Sequence, residues 1–204
     1  MGQLSTYFVR KETKVIGIED LADLIVNARY IVAVTGAGAS AESGIPTFRD
    51  PSDGVWAKHS LVDCGTIWGF KRYPVKLWSL LSEFLGTLDP KPNGTHFGLT
   101  KLEAIGKLKC IVTQNVDHLH QEAGSQNVVE YHGTLMESVC LKCGKIEPLD
   151  KAVVASASFR DKLPPPSCEP PQVVGTSANV VPACNVPWDA YKNGAKIVEV
   201  RLPD

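Results

Sequence analysis

The chain has 204 residues, of which 21 are Lys or Arg and 22 Asp or Glu, for a formal net charge of -1. That length suits one well-filled core with a small satellite module. The near-neutral balance disfavours a general polyanion binder, so no direct nucleic-acid binding is expected. No apolar run approaches the roughly 18 residues of a membrane helix, and the N-terminal stretch lacks the apolar centre of a signal peptide. The expectation is an intracellular protein, nuclear or cytoplasmic, in which the six cysteines serve as metal ligands or core residues rather than a disulfide framework.

From Ile18 to Ala28 the apolar positions Leu21, Leu24, Ile25 and Ala28 share one helical face, predicting a helix that feeds the next strand. Ile31 to Val34 is an unbroken apolar run, which suits a strand buried on both faces in a parallel sheet. Gly36, Gly38 and Ala41 follow with the G-x-G-x-x-G/A spacing. Gly36 permits a tight turn, and Gly38 lets the backbone approach a pyrophosphate. A dinucleotide-binding dehydrogenase would place an acidic ribose-binding residue about 20 residues further on. Trp56 stands in that region instead, after an ordered loop through Pro46, Thr47, Phe48 and Arg49. Phe48 offers an aromatic face and Arg49 a planar cation for phosphate or carboxylate.

Pro74 opens a further predicted helix with a stripe through Leu77, Leu81, Phe84, Leu85 and Leu88, and Trp78 reads as core. Asn93 or Thr95 is a candidate cap for a helix carrying Phe97, Leu102 and Ile105, with His96 as a local hydrogen-bonding residue. Lys109 to Thr113 is a second buried strand with Cys110 in the core, and it ends in Gln114, Asn115 and Asp117. Gly124 closes a short helix. Asn127 to Tyr131 is a third strand, leading to His132 and Gly133. Ligands of open parallel sheets bind beyond the carboxyl ends of the strands. An amide and a carboxylate after the second strand and an imidazole after the third, around a glycine turn, suit a cofactor-dependent active site.

Cys140-Leu141-Lys142-Cys143-Gly144 is half of a structural zinc knuckle, and downstream Cys168 supplies a third thiol. A redox pair or two unliganded thiols are the competing readings. Leu149 to Arg160 reads as a short helix and Leu163 to Pro166 as an extended spacer. Val173-Val174 reads as a strand ending in the small hydroxyl-bearing turn Gly175-Thr176-Ser177, and Ile197 to Val200 as a final strand.

These motifs, in this order, resemble the sirtuin family of NAD-dependent protein lysine deacylases. The match rests on GAGASAESGIPTFRD at Gly36 to Asp50, TQNVDHLHQEAG at Thr113 to Gly124, YHG at Tyr131 to Gly133, the cysteine pair from Cys140, and GTS from Gly175. The resemblance implies an α/β fold: a Rossmann-like parallel sheet with helices on both faces, in residues 1–135 and 172–204, plus a small zinc-ribbon-like module in 136–171. It implies an NAD site of Gly36, Ala37, Gly38, Ser40, Thr47, Phe48, Arg49, Gln114, Asn115 and Asp117, with Gly175, Thr176 and Ser177 toward the adenosine. His132 takes the place of the catalytic base, with Asn115 and Asp117 at the reacting end, and Cys140, Cys143 and Cys168 would hold structural zinc. The substrate would be an acyl-lysine protein or peptide, docked as an added strand.

The family pattern is also interrupted. Only Glu169, Pro170, Pro171 and Gln172 separate Cys168 from Val173, where the family carries a fourth cysteine and a Phe-Gly-Glu segment, so the chain reads as having an internal deletion. In the family, preference for acidic acyl groups goes with a Tyr and an Arg three apart, which Phe70-Lys71-Arg72-Tyr73 does not reproduce. A neutral acyl group is expected. Mono-ADP-ribosyl transfer, or a catalytically impaired relative acting by binding NAD or a partner, is the alternative.

Overall fold

The structure is a computed structural model of the whole chain, and the residues it describes are 16–46, 67–73, 75–76, 78–81, 89–140, 143–149, 173–174 and 185–198. Helix α1 runs from Ile18 to Asn27. Its half-buried positions include Leu21, Leu24, Ile25 and Ala28, the stripe the periodicity predicts. Strand β1 follows at Ile31–Thr35 and passes through Gly36 into a 3-10 helix, Ala37–Ser43. Gly44 ends that helix at φ 83°, a conformation that favours glycine.

Helix α2 spans Ile67–Arg72. Trp78 is 2% exposed, as expected of a core residue; of the predicted stripe Leu81 is half-buried, and Leu77, Phe84, Leu85 and Leu88 lie outside the described residues. Helix α3, Gly94–Ala104, is capped by Asn93, whose Oδ1 accepts from Thr95 N at 2.8 Å while His96 Nδ1 accepts from Asn93 N at 3.1 Å. The cap therefore has a histidine where a Glu or Gln usually closes the box. Strand β2 is Leu108–Thr113, helix α4 is Leu119–Glu122 and strand β3 is Val128–Glu130.

The three strands form a parallel sheet in the order β1-β2-β3, with Thr35 opposite Thr113 and Thr113 opposite Glu130. All three carboxyl ends therefore stand level, and whatever follows them emerges along one rim. Helix α3 packs on β2, and Ile111 at its centre is fully buried. The expectation that β1 is buried on both faces is corrected. Val32 and Val34 are 42% and 37% exposed, because the sheet face they share with the 49% exposed Val129 is uncovered among the described residues. Cys110 is half-buried on that same face, opposite Val32.

A second, antiparallel sheet has the order β5-β4-β6, from Glu137–Cys140 (β4), Ile146–Pro148 (β5) and Val173–Val174 (β6). The predicted strand at Val173 therefore forms, but Val173 and Val174 pair with Cys140 and Val139 rather than extending the parallel sheet. Periodicity identifies an extended segment but not the edge it joins, and β4 offers one here. Leu149 N bonds to Met136 O, continuing the hairpin where the sequence suggested a helix start, and the rest of that predicted helix lies outside the described residues. Helix α5, Asn185–Lys192, was not anticipated. The strand expected from Ile197 is not formed at Ile197 and Val198, which are 44% and 42% exposed and pair with no sheet.

Candidate active site

The rim gathers most of the residues singled out in the sequence. Ser40, fully buried in the 3-10 helix, donates its hydroxyl hydrogen to Asp117 Oδ2 at 2.7 Å. It accepts from Asn115 Nδ2 at 2.9 Å and faces His96 Nε2 at 3.5 Å. The tautomer of His96 follows from its other nitrogen. Nδ1 accepts from Asn93 N, so in the neutral ring Nε2 carries the hydrogen and points at Ser40 Oγ. Burial lowers the His96 pKa, against the pull of the Asp117 charge, and keeps that neutral form in place.

Asn115 is 5% exposed, and its Nδ2 also donates to Gly36 O at 3.1 Å, tying the loop after β2 to the glycine turn after β1. Asp117 Oδ1 accepts from Leu119 N at 3.0 Å and starts α4. Asn93 Nδ2 donates to Ala39 O at 2.8 Å and Ser43 Oγ at 3.0 Å, fastening α3 to the 3-10 helix. Beneath this layer, His120 Nε2 bonds Thr35 Oγ1 at 2.9 Å, and its ring lies 4.8 Å from that of His96. Burial, reinforced by His96, pushes the His120 pKa down to about 4.

Of the predicted cofactor residues, Gly36, Ser40, Asn115 and Asp117 form one bonded cluster. Gln114 stands exposed beside it, its Nε2 3.6 Å from where a Cβ on Gly36 would lie. Ala37 is half-buried in the first turn of the 3-10 helix, and Gly38 is exposed, with no atom within 4 Å of an added Cβ. His132 follows β3, its ring edge-on to Tyr131 at 5.7 Å. Its Nδ1 is buried without a hydrogen-bond partner, and burial lowers its pKa. Thr47, Phe48, Arg49, Gly175, Thr176 and Ser177 lie outside the described residues. His96 is the site member read from the sequence as local: its Nδ1 bonds within the α3 cap, as expected of a local hydrogen-bonding residue, yet its second nitrogen reaches the cluster.

The residues present fit a dinucleotide. A glycine whose Cβ direction is open, a carbonyl-and-amide rim at level strand ends, and an orphaned buried imidazole nitrogen are what such a ligand would use. Zinc is less complete. Cys140 N bonds Lys145 O, Gly144 N bonds Cys140 O, and Gly144 sits at φ 74°, so the chain turns back on Cys140 at Gly144. Cys140 is buried and Cys143 exposed, but Cys168 is outside the described residues, among which no group of three metal-binding side chains occurs. No helix among the described residues is long and apolar enough to cross a membrane.

Residues 36–171 match the family model described as the Sir2 family. The NAD-dependent protein deacylase of Thermococcus sibiricus is 36% identical over 220 residues, which cover 92% of this chain and 86% of that protein. A solved Sir2 homolog–NAD complex superposes with a TM-score of 0.70 at 34% identity, covering 90% of this chain and 82% of the other. A substituted Sir2 in complex with a p53 peptide and NAD gives a TM-score of 0.56 at 35% identity, over 65% of this chain and 52% of the other. A family model matched over most of the chain and relatives above 30% identity along most of its length show that the chain belongs to the Sir2 family.

Proposed function

We infer that this chain is an NAD-dependent protein lysine deacylase, which releases nicotinamide and passes the acyl group of a modified lysine to ADP-ribose. The observation that carries the reading is the Gly36–Ser40–Asn115–Asp117 cluster, on the same rim of strand ends as His132 with its buried, unpartnered Nδ1, in a chain 36% identical to a deacylase. NAD supplies a ribose carbon from which nicotinamide departs. The chain's own residues then have separable tasks. Gly36, Ala37 and Gly38 admit the cofactor backbone, and Gln114 and Asn115 face its ribose and nicotinamide. Asp117, both of whose oxygens are engaged by Ser40 and Leu119, holds the loop in position.

His132 accepts a proton from a ribose hydroxyl on a ring nitrogen. Its lowered pKa keeps it neutral, and therefore able to accept, at pH 7. Thr47, Phe48 and Arg49 would complete the cofactor cover, and Gly175, Thr176 and Ser177 the adenosine side. The substrate is an acyl-lysine protein or peptide, with a neutral acyl group such as acetyl. Phe70-Lys71-Arg72-Tyr73 offers no Tyr and Arg at the spacing that goes with acidic acyl groups, and Lys71 and Arg72 lie over the rings of Trp68 and Tyr73, at 5.7 and 5.5 Å. Cys140, Cys143 and Cys168 are the proposed zinc ligands.

The test is nicotinamide release from purified chain. It should require NAD and acetyl-lysine peptide together and should fall by roughly a hundredfold or more in His132→Ala. Release with NAD alone, or transfer of ADP-ribose to protein without deacylation, would overturn the assignment.

A further inference from the structure

His118 stands between the cluster and α4 in the left-handed region, at φ 69°, and no other non-glycine residue among those described has a positive φ. Such a conformation disfavours a Cβ-bearing side chain and persists where surrounding contacts hold it. His118 Nδ1 lies 3.5 Å from Glu130 Oε1. Both atoms are buried, and neither has a hydrogen-bond partner. The two atoms face each other across that gap, and a buried polar atom without compensation is costly.

The two residues belong to different parts of the rim. His118 adjoins Asp117, whose carboxylate is fixed by Ser40 and Leu119. Glu130 ends β3, and its carbonyl accepts from Gly133 N at 3.1 Å, forming the turn that carries His132. Displacing Glu130 therefore displaces His132.

We propose that His118 is a positioning residue, strapping the turn that carries His132 to the Asn115–Asp117 loop through its contact with Glu130. The contact makes the spacing between the proton acceptor and the nicotinamide end of the site a property of two side chains rather than of the sheet alone. This rests on the reading of His132 as the base.

Asparagine offers a selective probe. Its Nδ2 occupies the same place on the side chain as histidine Nδ1, and it tolerates positive φ, whereas glycine removes the contact while relieving the backbone. His118→Gly should move the melting temperature little, the relieved backbone offsetting the stranded Glu130 oxygen, yet lower kcat about tenfold or more, with KM for NAD within about twofold. His118→Asn should restore most of kcat. The His132 ring-proton resonances, assigned with His132→Gln, should move in His118→Gly and in Glu130→Ala and return in His118→Asn.

Equal kcat and unmoved resonances in His118→Gly would overturn the strap, as would identical losses in the glycine and asparagine variants. Wild-type protein without turnover but with the expected resonance pattern would count against the deacylase reading and for the strap.

Discussion

Ser40 and Asp117, 77 positions apart in the chain, are joined by a 2.7 Å hydrogen bond that closes the loop after β2 onto the turn after β1. Ser40 has one hydroxyl hydrogen, and giving it to Asp117 leaves the oxygen to receive Asn115 and His96. One small side chain thus serves three site groups.

Ser40→Ala should therefore cost more than a surface serine would. It leaves the buried Nδ2 of Asn115 one partner short and frees Asp117 Oδ2. A stability loss of about 2 kcal/mol is expected from hydrogen bonding alone, together with a marked fall in turnover. Urea denaturation and nicotinamide release measure the two effects. A variant as stable and active as the wild type would show that the cluster carries no weight.

Gly38→Ala separates fold from cofactor. An added Cβ meets no protein atom within 4 Å, and Gly38 lies inside a 3-10 helix where alanine is not disfavoured. The melting temperature should be unchanged or slightly higher, while KM for NAD should rise about tenfold or more if the backbone approaches the pyrophosphate there. An unchanged KM would place the cofactor elsewhere.

Much of this rim was legible because its signals are local. Gly36 and Gly38 sit at a fixed spacing, the runs ending at Thr35, Thr113 and Glu130 are apolar, and Asn93 precedes a helix in capping position. His96 shows where local reading stops. Its Nδ1 bond spans three residues and belongs to the cap, whereas its approach to Ser40 spans 56 and depends on α3 lying against the 3-10 helix. The same limit explains β6, whose two valines announce a strand but not its partner, and Ile197, whose apolar neighbours do not create an edge to join. The exposed Val32 and Val34 are a third case, since an apolar run reports what can be buried rather than what covers it.

Acid should destabilise the protein earlier than carboxylate protonation would. The native pKa of His120 lies near 4, below the usual 6.5, because burial and the neighbouring His96 oppose its charged form. At pH above 6.5 neither folded nor unfolded chain protonates it, and stability is unaffected. As pH falls from 6.5 toward 4 the unfolded chain takes up the proton and the folded chain does not, so stability drops by up to about 1.4 kcal/mol per pH unit. His96 and His132 act in the same direction. His120→Gln should flatten part of the decline in urea midpoints measured from pH 7 to 4.5, and a wild-type profile with no decline there would contradict the buried neutral imidazole.

Glu103 acts with the opposite sign and anchors the entry to β3. Its Oε2 accepts from Gln126 N at 3.0 Å, and its Oε1 from Asn127 N and Asn127 Nδ2, each at 2.8 Å. Burial pushes the carboxyl pKa up, but these bonds outweigh it and hold the pKa below the ordinary value. Its contribution is thus complete at neutral pH and disappears as pH falls through the native pKa. Glu103→Ala should cost about 1–3 kcal/mol at pH 7, in keeping with loss of hydrogen bonds to a charged group. Because the loop feeds the strand that presents His132, turnover should fall as well. Hydrogen exchange at Gln126 and Asn127 would localise the effect: those amides should lose protection in the variant while the central β2 amides keep theirs. Unchanged protection at 126 and 127 would show that the loop is held by the strand alone.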